Sequence, residues 1–418
     1  MNAHIITIGD EILIGQTINS NAAYIGEELT KIQINVRKSS VVGDNEEEIL
    51  KEFKSCLADN DLVVVTGGLG PTHDDVTRTC IVKFFHTELT KSKEVLEDVK
   101  GFLKKRGRQL SKVNEDQALV PKIAKVIRNS LGTAPGIWIE KDGKIFAAMP
   151  GVPFEMHQMM NNFVVPVLKE RLVNVDYTIK MQTLQTTGIG ESVLFEKLGN
   201  IDELLNGAKL AFLPSQFGVK LRITVQEASE ELANNKLIEI VQKIRSLAGR
   251  YIFSNVDESL EEVVARLLIE RGLTISIAES CTGGYISNLL TNISGSSAYY
   301  ERGIVSYSNA SKVEILKVNE DIIAQNGAVS LEVARQMAEG IKSISGTDIG
   351  LSITGIMGPT GAGVNKPIGL VYIGLCDDKV CTAKKFNFGD DRLRNKQRAA
   401  QAALEMVRRY LLGISYDE

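Results

Sequence analysis

Histidine is scarce in this 418-residue chain, and the four present (His4, His73, His86 and His157) all lie in its first 157 residues. A Ser–His–Asp or Cys–His arrangement within the later part is therefore excluded, and any base there must be of another kind. Cysteine is also sparse: Cys56, Cys80, Cys281, Cys376 and Cys381 are odd in number, scattered, and form no C-x-x-C pair. That distribution argues against a disulfide framework or a zinc site and for a reducing cytoplasm. No run approaches the roughly 18 apolar residues of a membrane span. The opening MNAHIITIGDEILIGQ carries charge inside its first apolar stretch and no basic n-region, so no signal peptide is expected. A basic excess is missing too, since 48 Lys and Arg stand against 52 Asp and Glu, a formal charge of −4. This speaks against a dedicated nucleic-acid binder.

What is present is ordinary for a globular enzyme: 44% hydrophobic and 24% charged residues over a length that calls for two or three domains. His4–Ile8 and Leu62–Thr66 read as buried strands, and Asn45–Ala58 as a helix capped by Asn45 with acidic residues in its first turn. Strands alternating with such helices imply βαβ units and a mostly parallel sheet. Alternation on either side of Asp142-Gly143 predicts a hairpin over 137–148. Pro153–Leu172 is a long helical pattern interrupted by Pro166. Strongly alternating strands at 177–187 and 219–226, with helical stretches at 191–198 and 230–247, predict a small α+β module. The last segment opens with a helix at 260–270. It continues through strands at 273–277, 349–354 and 369–375 and ends in a helix at 392–411. The expected fold class is thus α/β, with an N-terminal α/β domain, a small α+β module and a C-terminal α/β domain.

Two loops share the pattern T-G-x-x-G-P-T directly after a strand, at 66–72 and 354–360. Glycines there let backbone N–H groups approach a phosphate. In the first, TGGLGPTHDDVT (66–77), Gly67, Gly68 and Gly70 are followed by Asp74, Asp75 and Thr77. The carboxylates offer hard oxygens suited to Mg²⁺-type ions that travel with phosphates, while the plainer reading is a turn in which Asp75 caps its helix. His73 reads as a loop residue, since no second histidine stands at ligand spacing.

With IGDEILIGQ (8–16), VVGDN (41–45), NSLGTAPG (129–136) and MPGVPFEM (149–156), this segment resembles the N-terminal, molybdopterin-binding-like domain of the CinA family over residues 4–170. The resemblance implies metal-dependent ADP-ribose pyrophosphatase activity. Asp75 and Asp44, helped by Asp10, Glu11, Asp74 or Glu155, would hold a divalent ion (Mg²⁺, Mn²⁺ or Co²⁺ type). Competing readings of this half are a molybdopterin- or nucleotide-binding domain, or a non-catalytic scaffold linked to competence or DNA damage.

Residues 172–250 resemble the family's KH-like module. A KH clamp needs G-x-x-G, and the chain offers only Gly188-Ile189-Gly190. A spacer or dimerisation element is expected rather than an RNA binder.

In the last segment, AESCTGG (278–284) follows an apolar strand and sets Ser280, Cys281 and Thr282 side by side before Gly283 and Gly284. The amides after them lie near a helix start and suit an oxyanion. Without histidine, the base left is lysine. Lys312 in SYSNASK (306–312) is the best placed, because Tyr307 lies in the same stretch; a surface lysine is the plainer reading. The stretches 278–312, NGAVS (326–330), SITGIMGPTGAG (352–363) and KPIGLVYIG (366–374) resemble the CinA C-terminal domain. That resemblance implies nicotinamide-mononucleotide deamidase activity, with no cofactor, Ser280 as nucleophile, Lys312 as its base and Tyr307 assisting. Cys281 stays as an alternative nucleophile. Amides around Thr282, Gly283 and Gly284 would hold the oxyanion, and Gly355, Gly358 and Arg392 are candidate phosphate anchors. The family's F-x-G-D-R pattern is altered at 388–392, where Asp390 replaces a glycine. The expected organisation is 1–171, 172–254 and 255–418. The expected partners are nicotinamide mononucleotide, ADP-ribose and a second copy of the chain, with neither nucleic acid nor membrane.

Overall fold

The computed structural model describes residues 1–70, 72, 75–172, 177–363 and 365–415. They divide into two compact units: Met1–Ile179 with Glu227–Glu230, and Lys180–Gln226 with Glu231–Glu418. The middle module thus shares a compact unit with the C-terminal domain.

The first unit is built on strands β1 (Asn2–Ile8), β2 (Asn35–Val42), β3 (Leu62–Thr66), β4 (Leu89–Lys91), β5 (Leu119–Pro121), β6 (Lys125–Ile127), β7 (Gly136–Lys141) and β8 (Lys144–Met149). Six of them form one sheet in the order β2-β1-β3-β8-β7-β6. Strands β2, β1, β3 and β8 run parallel and β7 and β6 antiparallel. All five residues of β3 are buried, as befits a central strand covered on both faces. Helix Glu46–Asp59 starts at Asn45, whose side chain accepts from the Glu48 amide. Asp142 and Gly143 turn the β7–β8 hairpin with positive φ (52° and 75°), the geometry of a two-residue type I′ turn. The helical run after Pro153 is not broken at Pro166. It passes from an α-helix (Pro153–Met159) through a π turn (Met160–Val164) into a second α-helix (Val165–Arg171). The wider turn absorbs the N–H that proline lacks.

The second unit holds two sheets. Strands β9 (Thr178–Thr186), β10 (Lys209–Pro214), β11 (Val219–Glu227) and β12 (Ile252–Ser254) form the order β10-β11-β9-β12, packed on helices Glu191–Leu198 and Glu230–Ala248 through a common apolar core. Strands β13 (Ile275–Glu279), β14 (Tyr300–Val305), β15 (Ile349–Gly355), β16 (Leu370–Cys376) and β17 (Cys381–Asn387) form the order β14-β13-β15-β16-β17. Here β14, β13 and β15 are parallel, and β16 and β17 add antiparallel strands at one side. Helices Leu260–Arg271 and Arg392–Leu412 pack on this sheet. Among the described residues, no helix is long and apolar enough to cross a membrane.

One expectation is corrected here. Cys376 and Cys381 form a disulfide, where the scattered cysteines argued against such pairing. The two are register partners across the β16–β17 hairpin, with Cα atoms 4.0 Å apart. A spacing of five residues brings side chains face to face once the chain reverses. Cys56, Cys80 and Cys281 are free and buried.

Candidate active site

In an open sheet with parallel strands, ligands gather beyond the carboxyl ends of those strands. The ends of β13, β14 and β15 deliver Ser280, the Ser306–Tyr307 segment and the Gly355–Gly363 loop to one edge. Ser280 is 8% exposed, and its amide donates to Ile353 O on the neighbouring strand. Lys312 lies on the short helix Asn309–Glu314, whose N-cap is Ser308. Its side chain points inward and is 1% exposed. Lys312 Nζ lies 3.1 Å from Ser280 Oγ and donates to the carbonyls of Ser306 (2.8 Å) and Tyr307 (3.3 Å). Burial holds the ammonium below its ordinary pKa of 10.5. The surface-lysine reading fails.

The neighbouring groups are arranged differently from the sequence expectation. The Tyr307 side chain is 63% exposed, and its phenol oxygen accepts from Arg392 Nη2 at 3.3 Å. What Tyr307 presents to Lys312 is its backbone carbonyl. Arg392 also donates to Gly358 O at 2.8 Å, so its guanidinium ties the Gly358 loop to Tyr307. Asp391 caps the helix Arg392–Leu412 by accepting from the Arg394 amide. Gly355 faces β16 so closely that a Cβ would lie 2.7 Å from Leu370 O.

Two of the expected oxyanion donors are engaged. The Gly283 amide donates to Ser280 O and the Gly284 amide to Glu279 Oε2. Thr282 is fully buried, and its Oγ1 has no partner among the described residues. Cys281 is 7% exposed, and burial pushes its thiol up to about 12. A thiol held that far from ionisation is a poor nucleophile.

Sequence reasoning missed Glu279. This carboxylate is 1% exposed and accepts from the amides of Gly284, Ile286 and Ser287 and from Ser287 Oγ. It gathers the orphan donors at the start of helix Tyr285–Thr291 and so fixes the turn that carries Ser280. The signal was a charged residue ending an otherwise uncharged, buried strand immediately before the S-C-T-G-G run.

The first unit carries a second cleft, of about 450 Å³, again beyond the carboxyl ends of parallel strands. Glu11, Asp44, Asp75 and Glu155 line it with Gly67, Gly68 and Gly70. Asp10 is not among the lining residues and is held in a reciprocal pair, its amide donating to Asp44 Oδ2 and its Oδ1 accepting from the Asp44 amide. Asp75 does not cap a helix. It accepts from the Thr72 amide, and the helix Thr77–Phe85 begins two residues later without a side-chain cap. Thr77 is buried against Gly68, where a Cβ would come within 2.1 Å of Thr77 Oγ1. Glu155 is 9% exposed, accepts from Asn129 Nδ2 at 2.6 Å, and burial raises its pKa above the ordinary carboxylate value. Asn21, unmarked by the sequence, lines the cleft with a buried Oδ1 that has no partner among the described residues. Asp74 and His73 lie outside the described residues. Among those described, no three of these carboxylates have ligand atoms within 4.8 Å of one another.

Three family models match successive stretches of the chain. The family model "Probable molybdopterin binding domain" matches residues 4–170, "Damage-inducible protein CinA KH domain" residues 181–254, and "CinA C-terminal domain" residues 257–411. A CinA-like protein of Kosmotoga olearia is 42% identical over 414 residues, covering 99% of this chain and 100% of the relative. The chain belongs to the CinA family. A CinA-like protein of Chloroherpeton thalassium is 41% identical over 420 residues, 98% of this chain and 99% of its own length. Among solved structures, CinA from Thermoplasma acidophilum, described as of unknown function, is 39% identical. It covers 40% of this chain and 97% of its own, with a TM-score of 0.37. The fold class expected for such a protein is the one observed: a molybdopterin-binding-like domain, a KH-like module and a CinA C-terminal domain, all α/β or α+β.

Proposed function

We propose that the C-terminal domain hydrolyses the carboxamide of nicotinamide mononucleotide, with Ser280 as nucleophile and Lys312 as its base. The observation that carries this reading is the geometry at Lys312 Nζ. A neutral amine has two N–H bonds and one lone pair. In the neutral form, with both N–H groups donated to the Ser306 and Tyr307 carbonyls, the lone pair would face the Ser280 hydroxyl 3.1 Å away. The site is a base oriented by two backbone acceptors, where histidine would need a carboxylate.

Ser280 Oγ attacks the carboxamide carbon as its proton passes to Lys312 Nζ. The tetrahedral oxyanion collapses, the C–N bond breaks, and Lys312 returns the proton to the leaving ammonia. Water then attacks the acyl-Ser280 ester with the same base, releasing nicotinic acid mononucleotide. Thr282, two residues after the nucleophile, has a buried hydroxyl without a partner among the described residues and is the candidate donor to the oxyanion. Arg392 and the Gly358 loop it holds would anchor the phosphate.

The base must be neutral to act. Because burial lowers the pKa of Lys312, the active fraction rises as pH climbs through a value below 10.5 and falls on the acid side. A kcat/KM profile is expected to show one acid limb below that value. A profile with no acid limb at any pH where the protein stays folded would contradict the assignment. Cys281→Ala is expected to keep ammonia release within about threefold of wild type, since a buried free cysteine acts as a small apolar filler. A loss beyond about 100-fold would reassign the nucleophile.

For the N-terminal cleft the supporting reading is hydrolysis of ADP-ribose. Its donor set is four carboxylates with neither imidazole nor thiolate in the lining, which fits a hard, oxygen-seeking divalent ion. Asp44 and Asp75, with Glu11, are the residues that would hold that ion, and their ligand atoms would have to draw together to do so. When bound, it would supply charge for a pyrophosphate and lower the pKa of a water. The chain itself brings Gly67, Gly68 and Gly70 to the phosphates and the free acceptor Asn21 Oδ1 to a ribose hydroxyl. Chelation is expected to abolish release of AMP from ADP-ribose while leaving ammonia release from nicotinamide mononucleotide unchanged. AMP release that persists at full rate after chelation would remove the metal from the account.

A further inference from the structure

A second donor cluster lies in the first unit, outside the carboxylate cleft. His4 stands on β1, and Glu52 and Cys56 stand one turn apart on helix Glu46–Asp59. His4 Nε2 is 3.5 Å from Glu52 Oε1, and Cys56 Sγ is 3.3 Å from the same oxygen. The three donor atoms all lie within 4.8 Å of one another. Tetrahedral zinc, with bonds of about 2.0–2.1 Å to nitrogen and oxygen and about 2.3 Å to sulfur, holds its ligands roughly 3.3–3.7 Å apart. Two of the three separations are already at that spacing. His4 and Cys56 are 4% and 2% exposed and cannot leave without opening the core, whereas Glu52 reaches solvent and gives an ion its way in. Ser40 Oγ lies 2.9 Å from His4 Nε2. Lys38, on β2, is a cation whose charge acts on both His4 and Glu52.

We propose that His4 Nε2, Glu52 Oε1 and Cys56 Sγ hold a zinc-class divalent ion, with Ser40 Oγ or a water as fourth ligand. One imidazole, one carboxylate and one thiolate select Zn²⁺ or Co²⁺ over the Mg²⁺-type ions that an all-oxygen cleft prefers. The thiol proton leaves to solvent as the metal–sulfur bond forms, so thiolate and carboxylate together neutralise the divalent charge. The ion would clip β1 to helix Glu46–Asp59. Glu11 follows the end of β1 and Asp44 precedes the start of the helix, and both line the cleft, so the clip would steady its support. The inference is independent of what either domain hydrolyses.

The test is titration of the full-length protein with Co²⁺. One equivalent is expected to raise a near-ultraviolet thiolate-to-cobalt charge-transfer band, with tetrahedral d–d bands that Zn²⁺ bleaches. The carboxylate cleft has no sulfur and cannot produce the charge-transfer band. That band is expected to vanish in Cys56→Ala and His4→Ala, and Zn²⁺ should raise the melting temperature of wild type but not of Cys56→Ala. Cys56→Ser, which keeps the side-chain size, serves where the alanine variant fails to fold by circular dichroism. Absence of the band in wild type, or its survival in the Cys56 variants, would overturn the proposal.

Discussion

Lys312→Met should lower ammonia release from nicotinamide mononucleotide by about 10⁴-fold or more, and Ser280→Ala by a similar factor. The two groups act as one unit, so the double variant should be little worse than either alone. Methionine fills nearly the same buried volume as the lysine stem while offering neither lone pair nor proton. It leaves the Ser306 and Tyr307 carbonyls without their donor, at about 1–3 kcal/mol for each acceptor so stranded. Some destabilisation is therefore expected, and circular dichroism with thermal melting must show a folded chain before the rate is read. The acid limb of the pH profile disappears with Lys312. A folded Lys312→Met protein that keeps more than about one-tenth of wild-type turnover would exclude this lysine as the base.

The largest expected effect on stability lies away from the chemistry, on the same helix that carries Arg392. Arg408 Nε and Nη2 bind the two carboxylate oxygens of Glu405 at 2.7 and 2.8 Å, and Arg409 Nε binds Oε1 at 2.6 Å. The three side chains are between 1% and 5% exposed. Arg408 also donates to Arg250 O, joining this helix to the end of the middle module. Glu405→Ala leaves two guanidinium groups buried without their counter-ion, and breaking a buried pair in this way costs about 3–5 kcal/mol. Against a total stability of about 5–15 kcal/mol for a domain, that is a large share. The urea midpoint for unfolding followed by circular dichroism should fall clearly, and Glu405→Gln should recover part of it by restoring an acceptor. An unchanged midpoint in Glu405→Ala would mean that water reaches both arginines.

The parts of this architecture that were legible in the sequence are those set by local chemistry. Asn45 before three glutamates marked a helix start, Asp142-Gly143 a two-residue hairpin, and apolar runs ending in Thr66 and Thr354 marked strands that deliver glycine loops. Lysine was legible as a candidate base, because no histidine follows residue 157, whereas the choice of Ser280 over Cys281, and of Lys312 over a surface lysine, came from the resemblance to the CinA C-terminal domain. What was not legible is direction. The Tyr307 phenol turns outward to Arg392 while its carbonyl turns inward, and no spacing rule distinguishes the two. Asp75 stands where a helix cap would stand, yet it closes onto Thr72. The Cys376–Cys381 bond depends on the register of a hairpin whose strands had been only half identified. Glu279 was hidden because it occupies a strand position that burial normally reserves for apolar residues. Only the donors of the following helix turn make it tolerable there.

The most direct test of the central claim is to incubate the wild-type, full-length protein with nicotinamide mononucleotide and quantify ammonia and nicotinic acid mononucleotide together, quenching early samples for peptide mass analysis. The account predicts equimolar products and a transient acyl adduct on the peptide containing Ser280. Substrate recovered intact, with no ammonia and no adduct, would contradict it and leave the Ser280–Lys312 pair as a buried polar contact without this chemistry.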